Sequence, residues 1–423
     1  MLRLDDCVIF LDSQRIPLSG EQRKGLKKIY PYYGAQGVID YVDDYLFEGD
    51  HILVAEDGNN LKSRAENIAT WATGRFWVNN HAHILKAKEG FDPKYIFYLL
   101  NTMDLRGFIT GSAQPKLSQE NLRKIILPGC IPSYPEQRKI GGTLESLDEK
   151  ISNNNSIISE LESMAKDLYD YWFVQFDFPD ENGKPYKSSG GKMVWNEELK
   201  REIPEGWAVK QLNEMCSFSN GINYDKNEIG DKKYHIVNVR NITASSFILD
   251  NSEFDEIELK SSQADRYLIN NSDILVARSG APGAVRLLLN NDQNTIFCGF
   301  IIRCIPKDPR FRIYLSFSLK QYEGTNATTT GGSILQNVSQ DTLGRVSLVV
   351  PPDFVVEAFS SFVSDILSGM QNAIEENQQL TSLRDWLLPM LMNGQVKVGK
   401  EKHNLVYEQT APYMMAASKD ELP

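Results

Sequence analysis

Ile52-Leu53-Val54-Ala55-Glu56-Asp57-Gly58 returns as Ile274-Leu275-Val276-Ala277-Arg278-Ser279-Gly280, at an offset of 222 residues. A longer stretch, 111–127 (GSAQPKLSQENLRKIIL), returns as 332–348 (GSILQNVSQDTLGRVSL) at an offset of 221. Two near-equal offsets over half a chain mark an internal duplication, not two chance strand patterns. Leu4, Asp6 and Phe10 match Leu212, Glu214 and Phe218, so each copy opens on a similar segment. The chain therefore holds two similar mixed α/β domains, at 1–131 and 207–350.

A different kind of segment follows each copy. Ile140, Leu144, Leu147, Ile151, Asn154, Ile158, Leu161, Ala165, Leu168 and Trp172 keep an alternating 4-3 spacing, the stripe of a long packed helix. Ser133, Pro135 and Glu136 supply its capping start. Phe359, Val363, Ile366, Met370, Ala373, Asn377, Leu380, Arg384 and Leu387 repeat the spacing after Pro351-Pro352, closed by Pro389. Arg384 interrupts this second stripe, and Gly141, Gly142 and Gly369 each cost roughly 1 kcal/mol against Ala. Such helices need a partner. Core positions alternate a and d, which makes Asn154 a d residue and Asn377 an a residue. Antiparallel helices pair a with d, so the two amides are expected together, fixing register. The predicted fold is α+β: two similar domains separated by two long helices, 132–174 and 351–389, in an antiparallel intramolecular coiled coil with a pseudo-two-fold repeat. Residues 175–206, rich in Pro, Gly, Ser and charge, read as an exposed linker, and 390–423 as a loosely ordered C-terminal tail.

The 423 residues carry a formal charge of -11, with a mean hydropathy of -0.36. They contain neither a membrane-length apolar run nor a secretory leader. Five scattered cysteines without C-x-x-C argue against a disulfide framework or a zinc ribbon, and a cytoplasmic location is expected. A net acidic chain would ordinarily discourage a DNA assignment. Yet basic and acidic residues balance, 16 each in 1–132 and 17 each in 200–350, so the deficit lies in the helices, linker and tail. Local clusters recur within the balance. Arg23, Lys24, Lys27 and Lys28 precede Tyr30-Pro31-Tyr32-Tyr33-Gly34. In the second copy Lys226, Lys232, Lys233 and Arg240 interleave with Tyr234, His235, Asn238 and Asn241. Lysine and arginine hold phosphates, while amides and arginine read base edges.

Catalytic signatures are missing. Gly191-Lys192-Met193 is no phosphate-binding loop, and Val350-Pro351-Pro352-Asp353-Phe354 reads as a helix start. Pro179 to Lys184 reads as a turn, not as a nuclease metal site. His81 and His83 fall on one face of a strand, but no third ligand is identifiable, so no metal is expected.

Together with Tyr32-Tyr33-Gly34-Ala35-Gln36-Gly37, Val78-Asn79-Asn80-His81-Ala82-His83, Leu117-Ser118-Gln119 and Leu388 to Gln395 (LPMLMNGQ), this arrangement resembles the specificity (S) subunit of type I restriction-modification systems. The likeness runs to about Val398. It departs at the start, where Met1-Leu2-Arg3-Leu4 lacks the Gly206-Trp207 lead-in of the second copy. The resemblance implies two target recognition domains, each reading half of a split asymmetric site in double-stranded DNA. It also implies two modification (methyltransferase) subunits bringing S-adenosylmethionine chemistry, and restriction subunits bringing ATP- and Mg-dependent translocation and cleavage. The chain itself would be non-catalytic and bind no cofactor. Candidate DNA contacts are Lys24, Lys27, Lys28, Tyr32, Gln36, Arg64, Asn79, Gln114 and Lys116 in the first domain, and Lys232, Lys233, Asn238, Arg240, Arg278 and Gln336 in the second. Rods of roughly 45–50 Å would set the domains about a turn of duplex apart. The rival reading is a coiled-coil adaptor that binds only protein; a degenerate single-chain methyltransferase or nuclease is a third.

Overall fold

The computed structural model describes residues 2–64, 66–111, 114–128, 131–225, 230–291, 294–323 and 338–399. By its internal contacts the chain divides into two units, 1–146 with 384 onward, and 147–383.

The first unit carries the first copy. After helix α1 (Leu4–Cys7) come strands β1 (Val8–Phe10), β2 (Tyr30–Gly34), β3 (Gly37–Val42), β4 (Phe47–Glu48), β5 (His51–Ala55), β6 (Ala69–Ala72), β7 (Arg75–Val78) and β8 (Ala82–Ala87). They form two sheets, ordered β1-β8-β5-β6 and β3-β2-β7-β4. All five residues of β5 are buried, as the apolar run ILVA requires. Helices α2 (Pro93–Thr102) and α3 (Gln119–Arg123) close the domain; the Asp92 and Ser118 side chains accept the Tyr95 and Asn121 amides as N-caps.

The helical stripes are as expected from their spacing. In α4 (Tyr134–Tyr169) the 4-3 positions are buried or half-buried, and Glu136 returns a carboxylate oxygen to the Ser133 amide at 3.1 Å. In the first unit, Ile140 and Leu144 share a core with Leu391 and Met392. Gly141 is needed there, since a Cβ would stand 2.6 Å from Asp92 Oδ1 and 3.0 Å from the Tyr95 nitrogen. A Cβ at Gly142 would meet nothing within 4 Å, and that glycine has no packing reason. Five π-helical residues, Asp170–Val174, end this helix.

The second unit begins with a correction. Residues 175–206 are folded: Phe176, Phe178 and Ile203 are buried, and strands β9 (Met193–Asn196) and β10 (Arg201–Pro204) pair as an antiparallel hairpin. Phe178 packs 4.7 Å from Tyr186 and 4.8 Å from Trp207, so a few aromatics build a small core within a Pro-, Gly- and Lys-rich stretch. The expected turn at 179–184 is present, with Asp180 Oδ1 accepting the Asn182 and Lys184 amides. The second copy then runs through β11 (Ala208–Gln211), α5 (Leu212–Met215), β12 (Cys216–Asn220), β13 (Lys232–Val237), β14 (Asp255–Leu259), β15 (Ile274–Ala277), β16 (Val285–Arg286), β17 (Thr295–Phe297), β18 (Ile301–Pro306), α6 (Arg312–Lys320), α7 (Gln340–Gly344) and β19 (Ser347–Val350). Its sheets are β12-β18-β15-β16 and β14-β13-β17. The lead-in strand β11 pairs with β19 over four residues, where the first copy has a single bridge, Arg3 to Ile126.

Helix α8 (Asp353–Met392) runs through Pro389, three residues beyond the expected stop. Leu391 and Met392 are buried in the first unit's core, and the turn comes at Gly394, with φ +70°. Within the second unit α4 and α8 are antiparallel. Their contacts run from Asn154 with Asn377, through Leu161 beside Gly369, to Trp172 beside Phe359. Asn154, 1% exposed, donates to Asn377 at 3.0 Å and to Glu376 at 2.8 Å, while Asn377 donates to Asn155 at 2.9 Å. The expected pairing of amides is present. Among the described residues no helix is long and apolar enough to cross a membrane.

Candidate nucleic-acid interface

Strand direction builds the candidate surface. β2 runs parallel to β7, so the Ala35-Gln36 turn at the end of β2 lies at the same end as the turn leaving β7. The Asn79 amide donates to the Tyr33 carbonyl at 3.0 Å and ties the two ends together. The next turn joins them, because the Glu56 amide donates to the His81 carbonyl at 2.8 Å and Leu117 to the Glu56 carbonyl at 2.8 Å. The second copy repeats each bond. Cys298 donates to Val237 at 3.0 Å, Arg278 to Phe300 at 2.8 Å, and Val338 to Arg278 at 2.9 Å. One apex therefore appears twice, with Glu56 replaced by Arg278 and His81 by Phe300.

The candidates sort by this geometry. Gln36, Asn79 and Lys116 gather at the first apex with exposed Gln114, and Asn238 and Arg278 at the second. Lys24, Lys27 and Lys28 precede the opposite end of β2, roughly 13 Å back along the strand, and Lys232 and Lys233 open β13, roughly 17 Å from its end. Gln336 and Lys226 lie outside the described residues.

Several candidates have structural roles. Tyr32 is fully buried, with its hydroxyl bonded to the Leu18 amide and carbonyl, so it has no surface to offer a base. The half-buried Arg64 donates to the carbonyls of Asn101, in the last turn of α2, and Met103, just beyond it, capping that helix's negative end. Its backbone is left-handed, with φ 53°. Asn79, 7% exposed, accepts the His81 amide at 2.8 Å and shapes the turn. Asn238 caps the helix Val239–Ala244 and bonds Asp255 at 3.1 Å and Tyr224 at 3.2 Å.

The basic clusters are not free of acids. Asp40 takes Arg23 at 2.8 Å and Lys28 at 2.7 Å. Hydrogen bonds from Lys28 and Arg23 hold its carboxyl well below the usual range. Lys116 meets Glu56 at 3.2 Å, Lys232 meets Asp265 at 2.9 Å, Lys233 meets Glu256 at 2.7 Å and Arg240 meets Asp255 at 2.6 Å. The pairs of Lys28, Lys232, Lys233 and Arg240 lie at the surface and are worth little, so these cations can be reassigned to phosphates at small cost, whereas the Arg23–Asp40 pair and Glu56 are half-buried. Lys24 and Lys27 are exposed and have no side-chain partner among the described residues.

Beneath the first apex lies a network that spacing alone did not reveal. His83, 1% exposed, faces Asp12 Oδ2 at 2.6 Å through Nδ1 and the Leu117 carbonyl at 2.7 Å through Nε2. Asp12 also accepts the Ile84 amide at 2.8 Å, and Arg15 bridges to Glu56 at 3.0 Å. Burial pushes both carboxyls up. The His83 and Ile84 bonds outweigh it at Asp12, and Arg15, His83 and Lys116 outweigh it at Glu56, leaving both below their ordinary values. His81 is exposed and pairs with Asp57 at 2.7 Å. The two histidines thus have separate partners, and among the described residues no group of three His, Cys, Asp or Glu could hold a metal.

A family model described as the type I restriction modification DNA specificity domain matches residues 3–163 and 204–380, once for each copy and its helix. The chain belongs to that family. Members with curated names include the MjaIX type I restriction enzyme specificity subunit of Methanocaldococcus jannaschii, 26% identical over 74% of this chain and 71% of its own length. A putative type I restriction enzyme specificity subunit of Haemophilus influenzae is 26% identical over 89% of this chain and 91% of its own. The S subunit of a type I system from M. genitalium shares the fold, with a TM-score of 0.58 at 15% identity over 92% of this chain and 95% of its own. As a specificity subunit the chain supplies DNA recognition, and methylation and cleavage belong to other subunits.

The DNA contacts expected from the sequence include neither His81 nor Phe300. Aligning the copies would have found them, since Val78-Asn79-Asn80-His81 falls on Phe297-Cys298-Gly299-Phe300.

Proposed function

We propose that each copy reads one half of a split, asymmetric site in double-stranded DNA through its apex, and that the antiparallel helices fix the spacer between the halves. The repeated apex carries this reading: one hydrogen-bonded frame presents Glu56 and His81 in one copy and Arg278 and Phe300 in the other. An unchanged frame with exchanged side chains is what two readers of different sequences require. The complete assembly contains two modification (methyltransferase) subunits using S-adenosylmethionine, and restriction subunits using ATP and Mg for translocation and cleavage. It works in the cytoplasm. The modification subunits dock on the helices, whose Ile157, Met164 and Phe362 are 45%, 57% and 61% exposed. A protein-only adaptor would share those surfaces but has no use for two differently equipped apices.

Single-molecule methylome sequencing of a host with and without this gene tests the reading. A bipartite motif that depends on the gene is expected, and adding one matched heptad to both helices should lengthen its spacer without altering either half. An absent motif, or an unmoved spacer, overturns the corresponding part.

A further inference from the structure

Phe300 is 60% exposed on the turn between β17 and β18, although its neighbours Cys298 and Ile301 are buried. The turn beneath it is stiff. Gly299 donates to the Ile222 carbonyl at 2.7 Å, Ile301 to Cys298 at 3.0 Å, and Arg278 Nη1 reaches the Gly299 carbonyl at 3.3 Å. A Cβ at Gly299 would fall 2.1 Å from the side-chain Oδ1 of Asn223, and the backbones crowd so closely that one at Gly221 would fall 2.2 Å from the Cys298 carbonyl oxygen. A large apolar ring thus stands on a rigid mount with a guanidinium at its base. The equivalent His81, on the same backbone bond, is also an exposed ring but is held by Asp57.

We propose that Phe300 is a wedge that enters the duplex at the half-site of the second copy and partly unstacks one base step, with Arg278 beside it. This rests on the DNA reading above and adds to it a residue that selects for deformability as well as for base edges. Every base has an apolar face for such a ring, and flexible pyrimidine–purine steps yield most easily. A stiff mount suits insertion, since a loop that folded away would lose the work of unstacking. The first copy, with His81 in that place, makes no such insertion.

The test uses the full chain assembled with its modification subunits, and cognate duplexes carrying 2-aminopurine at successive positions of each half-site. Wild type is expected to brighten the probe at one step of the second half-site and at none of the first. F300A should abolish the brightening and weaken cognate binding about ten-fold, while F300W retains both. Phe300 is solvent-exposed, so the melting temperature should stay unchanged. Sequence-specific binding without any brightening, or with brightening that survives F300A, overturns the wedge and leaves the DNA reading standing. Loss of subunit assembly in F300A makes the ring a protein contact and overturns the wedge. A wild-type complex without sequence preference overturns the DNA reading and the wedge together.

Discussion

The two apices share a backbone frame but rest on different foundations. Under the first, Asp12, His83, Glu56 and Arg15 form a buried or nearly buried charged network. Under the second, strand register puts Asn220 opposite Ile302 in place of Asp12 and His83, and Arg278 replaces Glu56. Ile302 is fully buried. The difference teaches that the frame is set by the strands and their order, and that the charged network is one of two ways to fill the space beneath it. Removing one member of a buried pair strands the other, whereas replacing both with fitting apolar or neutral groups can be close to neutral.

The largest expected effect breaks that comparison directly. Asp12→Ala leaves His83 and the Ile84 amide buried without their acceptor and should cost about 3–5 kcal/mol in urea unfolding of the full chain. The double change Asp12→Asn with His83→Ile copies the second domain's solution and should cost within about 1–2 kcal/mol. A double variant as damaged as Asp12→Ala would mean that the first frame needs its charges.

Acid should separate the two units. Asp12 and Glu56 have folded values depressed below their unfolded ones, so they contribute stability above roughly pH 4 that is lost as pH falls through the folded values. Buried Asp273 of the second copy has the opposite sign: burial raises its carboxyl, so protonation relieves a penalty. Pepsin at pH 3–4 should therefore cut first within 2–128. Initial cuts within 207–350 would contradict this ordering.

Much of the architecture was legible because it depends on period. The duplication, both helical stripes, and the meeting of Asn154 with Asn377 follow from spacings of 222, 221 and alternating 4 and 3 residues. What escaped depends on distant partners. Asp40 approaches Lys28 across a hairpin, Asp265 reaches Lys232 from 33 residues away, and no local pattern announces either. The 175–206 stretch reads as linker because its three buried apolar residues, Phe176, Phe178 and Ile203, are outnumbered by Pro, Gly, Ser and charge. Pro389 reads as a stop because its missing amide is visible in sequence, whereas the burial of Leu391 and Met392 is not. At the candidate site, Tyr32 and Arg64 have the side-chain chemistry of base readers, but the fold uses it on Leu18 and on a helix end.

The smallest effect sharpens the comparison between apex and strand start. If bases are read at the apices, the lysines at the far ends of β2 and β13 touch phosphate at most. Lys24→Ala and Lys27→Ala should leave the recognised sequence unchanged and each reduce the slope of log affinity against log salt by about 1. Lys232→Ala and Lys233→Ala release Asp265 and Glu256 and should leave the unfolding midpoint nearly unchanged, since these are exposed pairs. Arg278→Ala should instead cost about 1–3 kcal/mol at one base position. A lysine variant that altered the motif while Arg278→Ala did not would move the reading surface to the opposite end of the parallel strands, and the shared apex bonds would then be a matter of folding alone.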